Sequence, residues 1–203
     1  MYTPRPFAVG DVLARELLRD IVVGQLVTAT ESGPMATLLP WVVDLDRGVL
    51  LGHLARPNPQ WNTPWFGEAM VIAEGVNGYV SPSWYASKAE HGRVVPTWNY
   101  VVLQVMGELV VHDDAQWVDD VVRRLTDRHE QSRSEPWSVD DAPQDYLAGQ
   151  LRAIVGVEIH IGRIDASVKM SQNKSVADVT GVANGFTSDG NPAAAAWVRR
   201  SIR

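Results

Sequence analysis

The sequence predicts a mainly β protein of the α+β class, a small antiparallel barrel carrying peripheral helices. Three observations carry this. Six or seven β-rich segments recur along 203 residues, several joined by turn chemistry such as ESGP and DRG. Helical periodicity is confined to a few insertions. No strand–helix–strand alternation runs through the chain, which argues against a doubly wound sheet. No linker-like composition interrupts it, so residues 1–188 are expected to form one domain and 189–203 a tail.

The first helix is expected over 7–19, where Phe7, Val12, Leu13, Leu17 and Leu18 fall at helical spacing. Strands follow at 21–30, 35–44 and 48–54, as an antiparallel meander. The prolines of ARPNPQW break the pattern and lead into a short helix around 58–66. AMVIAEG (69–75) is a strand, with GYVS a short continuation after a turn. Residues 97–111 are long and β-rich, with Gly107 marking a bulge or a close approach. The clearest helix is DDAQWVDDVVRRLTDRHE. Asp113 or Asp114 caps it, and Trp117, Val118, Val121, Val122, Leu125 and His129 share one face. Residues 154–164 alternate, with Val155, Val157, Ile159 and Ile161 inward and Glu158 and His160 outward. ASVKM pairs beside this strand, and NKSVADVTGVANGF reads as a turn and a weak helix.

Apolar residues are 45% and charged residues 21% of the chain, an ordinary globular balance. Acids outnumber Lys and Arg by 24 to 18, for a net charge of -6. Nucleic-acid affinity comes largely from cations displacing phosphate counterions. The densest basic stretch, WVRRSIR, holds three arginines and reads as a solvated tail, so direct nucleic-acid binding is not expected. No apolar run approaches the roughly 20 residues that span a bilayer, so no membrane partner is expected. No charged leader precedes an apolar stretch, so the expected location is cytoplasmic. Cysteine is absent, which removes disulfides and thiolate chemistry.

No nucleophile elbow, phosphate loop or dinucleotide fingerprint is present. The five histidines, 53, 91, 112, 129 and 160, form no close ligand pair, so no metal is expected. Acid pairs at 113–114, 119–120 and 140–141 read as a cap, a helix surface and a loop. Three polar segments in aromatic surroundings remain. GHLARPNPQW (52–61) carries His53, Arg56 and Asn58 ahead of a short helix. Its arginine is equally readable as a phosphate ligand or as an exposed turn residue. YVSPSWYASKAEHGRVVPTWNY (79–100) sets Trp84 and Trp98 beside hydroxyl side chains, stiffening prolines and Lys88, His91 and Arg93. That combination suits a planar heteroaromatic ligand or an aromatic-rich subunit interface. KMSQNKS (169–175) gathers Lys169, Ser171, Gln172 and Asn173. Its alternatives are a binding cluster and a turn with a capped helix starting near Asn173 or Ser175.

These segments, with MYTPRPF at the start and LRAIVGVEIHI near 151–161, stand in the order seen in the PaiB-type family, and the chain resembles that family from residue 1 to about 185. The family is described as FMN-binding negative transcriptional regulators. The resemblance implies a split β-barrel shared with pyridoxamine 5'-phosphate oxidase. It also implies a homodimer with one FMN in each of two interface grooves. By the same resemblance Arg56, with Asn58 and Lys88, would neutralise the FMN phosphate. Leu38 to Trp41, including Leu39 and Pro40, with Gly52 and His53, would face the isoalloxazine ring. Trp84, Trp98 and Asn99 would shape the ring pocket, and Lys169, Gln172 and Asn173 would close it from the partner subunit.

Three functions follow as alternatives: an FMN-binding regulator, an FMN-dependent oxidoreductase acting on a small molecule, and a haem-binding or haem-degrading barrel. No residue is singled out as catalytic, and His53, His91 and Lys169 are candidates by proximity alone. No histidine has a distinctive haem-ligand context. The best helix turns Trp and Val inward and offers Asp outward, unlike a recognition helix, so any regulation is expected to be indirect.

Overall fold

The computed structural model describes residues 1–20 and 22–201. The chain divides into two compact units. One is built from Arg15–Ala73 and Gln104–Ile164, the other from Met1–Ala14, Glu74–Leu103 and Asp165–Arg203.

The first unit is the barrel. Its strands are β1 (Val23–Thr30), β2 (Gly33–Pro40), β3 (Val42–Asp44), β4 (Val49–Ala55) and the parts that it takes of β5 (Trp65–Val80), β6 (Thr97–His112) and β7 (Ile154–Lys169). They form one seven-stranded sheet in the order β2-β1-β5-β6-β7-β4-β3. The two edge strands, β2 and β3, are consecutive in the chain and separated only by Trp41. The segment 33–44 therefore belongs to both edges, and the sheet closes on itself.

Trp41 holds that junction. It is wholly buried. Its indole Nε1 donates to the Gly24 carbonyl at 3.1 Å, and its own N–H reaches the Val22 carbonyl at 3.0 Å. Gly52 lets the ring approach β4, since a Cβ there would lie 3.1 Å from the indole. Gln60 provides a second buried tie. Its Nε2 donates to the Leu26 carbonyl, Thr28 Oγ1 and the Met35 carbonyl, and its Oε1 accepts from Thr37 Oγ1 at 2.6 Å.

Inward and outward residues alternate along β1, with Gly24, Leu26, Thr28 and Thr30 inward. The pairing registers align Leu38, Gln25 and Ile72 in one outward row across β2, β1 and β5. Ala36, Val27 and Met70 make a second row, and Pro34, Ala29 and Phe66 a third. Gln25 alone is polar among the nine.

Helix α1 (Asp11–Arg19) ends in this unit, and α3 (Ala115–Glu130) and α4 (Gln144–Arg152) lie wholly within it. Asp114 caps α3, accepting from the Trp117 N–H at 2.8 Å. Val121 and Leu125 of α3 join Val42, Val49 and Leu51 in one core cluster, with Trp117 packed against it.

In the second unit, α2 (Ser87–His91), α5 (Val176–Ser188) and α6 (Pro192–Arg199) accompany the far ends of β5, β6 and β7. Trp84 lies flat in a notch of α5, where a Cβ on Gly185 would come within 2.1 Å of its indole, and its ring meets Phe186 edge-on at 5.2 Å. Asn191 caps α6 and also donates to the Asn77 carbonyl at 3.0 Å.

Several sequence expectations need correction. The first helix starts at Asp11 rather than residue 7, because Pro4, Pro6 and Gly10 shape a separate 3-10 turn over Arg5–Phe7. Val12 is 75% exposed, and Ala14, Leu17 and Leu18 are the buried residues. Strand 21–30 begins at Val23, and Ile21 lies outside the described residues. The strand 35–44 is two strands, and the helix of 58–66 is only a 3-10 turn at Pro59–Trp61. No turn divides β5 at Gly78, which instead gives Phe186 room: a Cβ there would lie 2.5 Å from its ring. At Gly107 a close approach is found, with the His160 carbonyl 2.0 Å from where a Cβ would stand. β7 runs unbroken into ASVKM. Glu158, expected outward, is buried at 4%, because α3 covers that face and Trp117 packs over Gly156. His129 is exposed. The tail forms α6, which buries Ala194, Ala195 and Val198 fully while Arg199 and Arg200 stay exposed, so it is solvated only on its arginine side; Ile202 and Arg203 of WVRRSIR lie outside the described residues.

Replacing Trp41 with Ala should lower the unfolding free energy by about 3–5 kcal/mol, as for a large core aromatic. Urea unfolding followed by circular dichroism reads this. A loss under about 1 kcal/mol, the size of an ordinary substitution, would show that the ring does not hold the closure.

Candidate functional site

Three stretches remote in sequence meet in the second unit around one cleft of about 280 Å³. Phe7 comes from the N-terminal segment, Tyr85 from SPSWY, Val95, Pro96, Thr97 and Asn99 from the start of β6, and Lys169, Ser171, Asn173 and Lys174 from the end of β7 and its turn. The turn is tightly built. Ser171 has φ 63°, in the left-handed region that L residues seldom occupy. What holds it there is a buried pair: Asn99 Nδ2 donates to Ser171 Oγ at 3.0 Å, and both residues are almost wholly inaccessible. Gln172 folds back on the strand end. Its Oε1 accepts from the Met170 N–H at 2.7 Å, and its Nε2 donates to the Val168 carbonyl. Ser175 caps α5 immediately afterwards.

Two cations border the cleft. Lys169 Nζ donates to Thr97 Oγ1 at 2.5 Å and lies 5.9 Å from the ring centres of both Phe7 and Tyr100. Lys174 Nζ stands 5.1 Å over Tyr85, within cation–π range. The nearby Asp178 carboxylate accepts from Ser87 N–H and Oγ at 2.9 and 3.0 Å. Burial pushes its pKa up, but the bonds from Ser87 and Ser175 and the charge of Lys174 outweigh that and hold it low. Burial, with Asp178 nearby, raises the Tyr85 pKa.

Of the residues singled out from sequence, Asn99, Lys169 and Asn173 line this cleft. Gln172 fixes its turn and faces the neighbouring cleft with Trp197 and Arg200. Trp84 is committed to α5, and Lys88 donates to Ser83 Oγ at 3.2 Å. Trp98 is 51% exposed on the other face of β6, with its indole N–H on Asn77 Oδ1 at 3.2 Å. Phe7, Tyr85, Thr97 and Lys174 were not singled out for this role, although each lies within a quoted motif; Ser171 was named in the KMSQNKS cluster.

The remaining six belong to the barrel unit. Leu39 points into the core at 4% exposure, whereas Leu38 faces out at 65%. The Pro40 carbonyl and the Trp41 ring lie over Gly52. Asn58 caps the 59–61 turn through the Gln60 N–H and donates to Thr37 Oγ1. The Arg56 guanidinium is engaged by both Asp113 oxygens, at 2.6 and 3.2 Å, and by the carbonyls of Arg152 and Ile154. The hydrogen bond from Arg56 lowers the pKa of Asp113, which is therefore no free surface acid. His53 has a buried Nδ1 without a hydrogen-bond partner. The histidines at 112 and 160 both turn to Glu158, at 2.7 and 3.7 Å, and His112 also stacks on Trp117. Among the described residues no group of His, Asp or Glu could hold a metal ion, and no helix is long and apolar enough to cross a membrane.

A family model described as "Putative FMN-binding domain" matches residues 1–163. The chain is 30% identical to the protease synthase and sporulation protein PAI 2 of Bacillus subtilis over 198 residues, 95% of this chain and 92% of that one. It is 33% identical to an uncharacterized protein of Emericella nidulans over 221 residues, 89% and 88% of the two chains. Among solved structures, the FAD and heme binding protein of Mycobacterium smegmatis superposes with a TM-score of 0.57 at 15% identity, over 81% of this chain and 74% of that one. The flavocytochrome Anf3 of Azotobacter vinelandii does so with a TM-score of 0.55 at 11% identity, over 79% and 67%. These share its fold, a split barrel. The chain belongs to this PaiB-like FMN-binding domain family, and FMN is the cofactor that the family assigns to it. The residues of the cleft fit such a group: ammonium ions suit its phosphate, and aromatic walls with amide and hydroxyl donors suit the rest of it. The cleft is just below the usual range of about 300–1,000 Å³ for ligand sites, room for part of a nucleotide.

Burial depresses the His53 pKa below its ordinary 6.5. The unfolded chain takes up this proton near that value and the folded chain does not. Stability is therefore full above about pH 6.5 and is lost as pH falls below it, towards the folded value. Thermal melts between pH 8 and 5 should show this slope in the wild type and a shallower one in His53→Gln. Equal slopes would mean that His53 charges without penalty.

Proposed function

We propose that the protein is an FMN-binding homodimer that acts in regulation without touching DNA itself. One observation carries the cofactor reading: the motif segments at both chain ends and in the middle converge on a single cation-bordered, aromatic-walled cleft. Asn99, Lys169 and Asn173 hold the ligand there, while Gln172 and Trp84 keep their surroundings rigid. Trp98 offers a flat exposed indole, and Lys88 adds positive charge. On the barrel, Leu39, Pro40, Gly52 and His53 are assigned to the ring by family resemblance, and Arg56 and Asn58 to the phosphate. Arg56 takes that role only by releasing Asp113. FMN, when bound, supplies hydride and electron transfer, and the protein binds and orients it.

The dimer reading rests on the outward rows of β2, β1 and β5. Eight of those nine side chains are apolar, and Leu38 and Phe66 are 65% and 62% exposed. Such a contiguous apolar face marks an interaction surface. A second copy presenting the same face would cover it in the self-complementary way of two-fold dimers.

Indirect regulation is supported by the charges. Arg47, Arg56, Arg123, Arg124 and Arg133 each face a carboxylate, which offsets their charge toward a phosphate backbone. The apolar side of α3 is packed into the core.

Titration with FMN should give a bound flavin spectrum, and sedimentation should give twice the 22.4 kDa of one chain. Leu38→Glu with Phe66→Glu should sediment as a monomer that keeps its circular dichroism. A wild-type monomer with no flavin uptake would defeat the proposal. Promoter DNA at physiological salt should show no gel shift, and a specific shift would rule out indirect action.

A further inference from the structure

A second cleft in the same unit lies on the other side of the turn after β7. We propose that it binds a small molecule with an apolar body and one carboxylate, and is coupled to the flavin cleft through the wall they share. Only the coupling to FMN rests on the flavin reading. The cleft encloses about 590 Å³, well inside the range of about 300–1,000 Å³ for small-molecule sites. Val168 and Met170, with Val9 and Leu13 of the N-terminal segment, give it apolar walls. Its one cation is Arg200, and no carboxylate lines it. The Arg200 guanidinium carbon stands 4.5 Å from the centre of the Trp197 ring. That contact holds the group without spending an N–H donor, and its side chain makes no ion pair or hydrogen bond among the described residues. Trp197, Arg200 and Ser201 lie outside the residues 1–163 that the FMN-binding family model matches.

The arginine is presented from a fixed backbone. Ala194, Ala195 and Val198 bury one side of α6, and Ser201 Oγ ties its end to the Met170 carbonyl at 3.2 Å. Donors held in place in this way cost little to order on binding. A planar guanidinium matches a carboxylate through two parallel hydrogen bonds. It also balances one negative charge, whereas a phosphate dianion would keep its second charge unpaired. The coupling comes from alternation. Val168, Met170 and Gln172 line this cleft, while Lys169, Ser171 and Asn173 line the flavin cleft. The N-terminal segment divides in the same way, with Pro6 and Ala8 on this side and Phe7 on the other, and Ala8 bridges to Ser167 of β7. A ligand that shifts this thin wall changes both clefts, and the effect is reciprocal. Such a site gives a regulator that does not touch DNA a chemical input.

The test uses the full chain as wild type, Arg200→Gln and Arg200→Lys. Octanoate, 3-phenylpropanoate, octyl phosphate and the neutral octanamide are titrated by calorimetry, with and without FMN. The Trp197 indole N–H and the Asn99 side-chain amide are followed by NMR. Octanoate should shift the Trp197 N–H and bind about tenfold or more tightly than octanamide, as expected for a charged hydrogen-bonded pair. Arg200→Gln should erase that preference while octanamide binding stays unchanged, and Arg200→Lys should restore part of it. The tighter of octanoate and 3-phenylpropanoate tells an alkyl from an aryl body, and either supports the site. FMN should change octanoate affinity about fivefold or more, and octanoate should change FMN affinity by the same factor. Equal binding of octanoate and octanamide, or a preference that survives Arg200→Gln, overturns the site, and tighter binding of octyl phosphate than octanoate overturns the ligand class. Octanoate that binds but moves neither FMN affinity nor the Asn99 amide overturns the coupling. If no form takes up flavin, the flavin reading falls, and the Asn99 shift alone decides the coupling.

Discussion

The barrel depends on one junction. A single tryptophan separates two strands that lie at opposite edges of the same sheet, and everything in that unit follows from holding those edges together. Trp41 does so with a buried ring, one indole hydrogen bond and a glycine opposite that lets it approach. Closure brings the two end strands of the sheet, β2 and β3, together in one continuous segment. It also turns one face of β1, β2 and β5 to the outside, and there the side chains are apolar for a reason that the core does not supply.

The second unit follows a different logic. Two of its glycines, Gly78 and Gly185, are contact points for rings, and several polar side chains are spent holding turns. Gln172, Ser171, Asn99 and Asp178 all make internal bonds. Once those are subtracted, the two lysines keep donor capacity at the cleft, and so does the Asn173 amide. The neutral amides and hydroxyls that looked from the sequence like ligand contacts divide into two kinds. Asn173 lines the cleft, whereas Gln172 secures the ground on which it stands.

Much of the fold was legible because its signals are local. The cap at Asp114, the helix of α3 and the strand of β7 are each written within a few residues, and they were read correctly in kind. Errors arose where a distant segment decides. Glu158 alternates as an outward residue should, but α3 arrives from elsewhere and covers it. Gly78 resembles a turn until Phe186 is placed above it. The tail composition says nothing of a helix that packs through three small buried side chains. The site shows the same division. The motifs were recognisable, and their convergence was not, because spacing along a chain does not reveal which ends of β6 and β7 stand side by side. Arg56 looked available because Asp113, its partner, lies 57 residues away.

The order of the strands also bears on how the molecule is assembled. β3 and β4 emerge early in synthesis and pair with each other, but β4 finds its second neighbour only when β7 arrives, roughly a hundred residues later. Pairings of such long separation are slow to form, since the loop must be closed before the contact repays it. Until then the early meander shows the cell an incomplete sheet with an open border and an oily outer surface. A nascent chain of this kind has reason to need chaperone shelter.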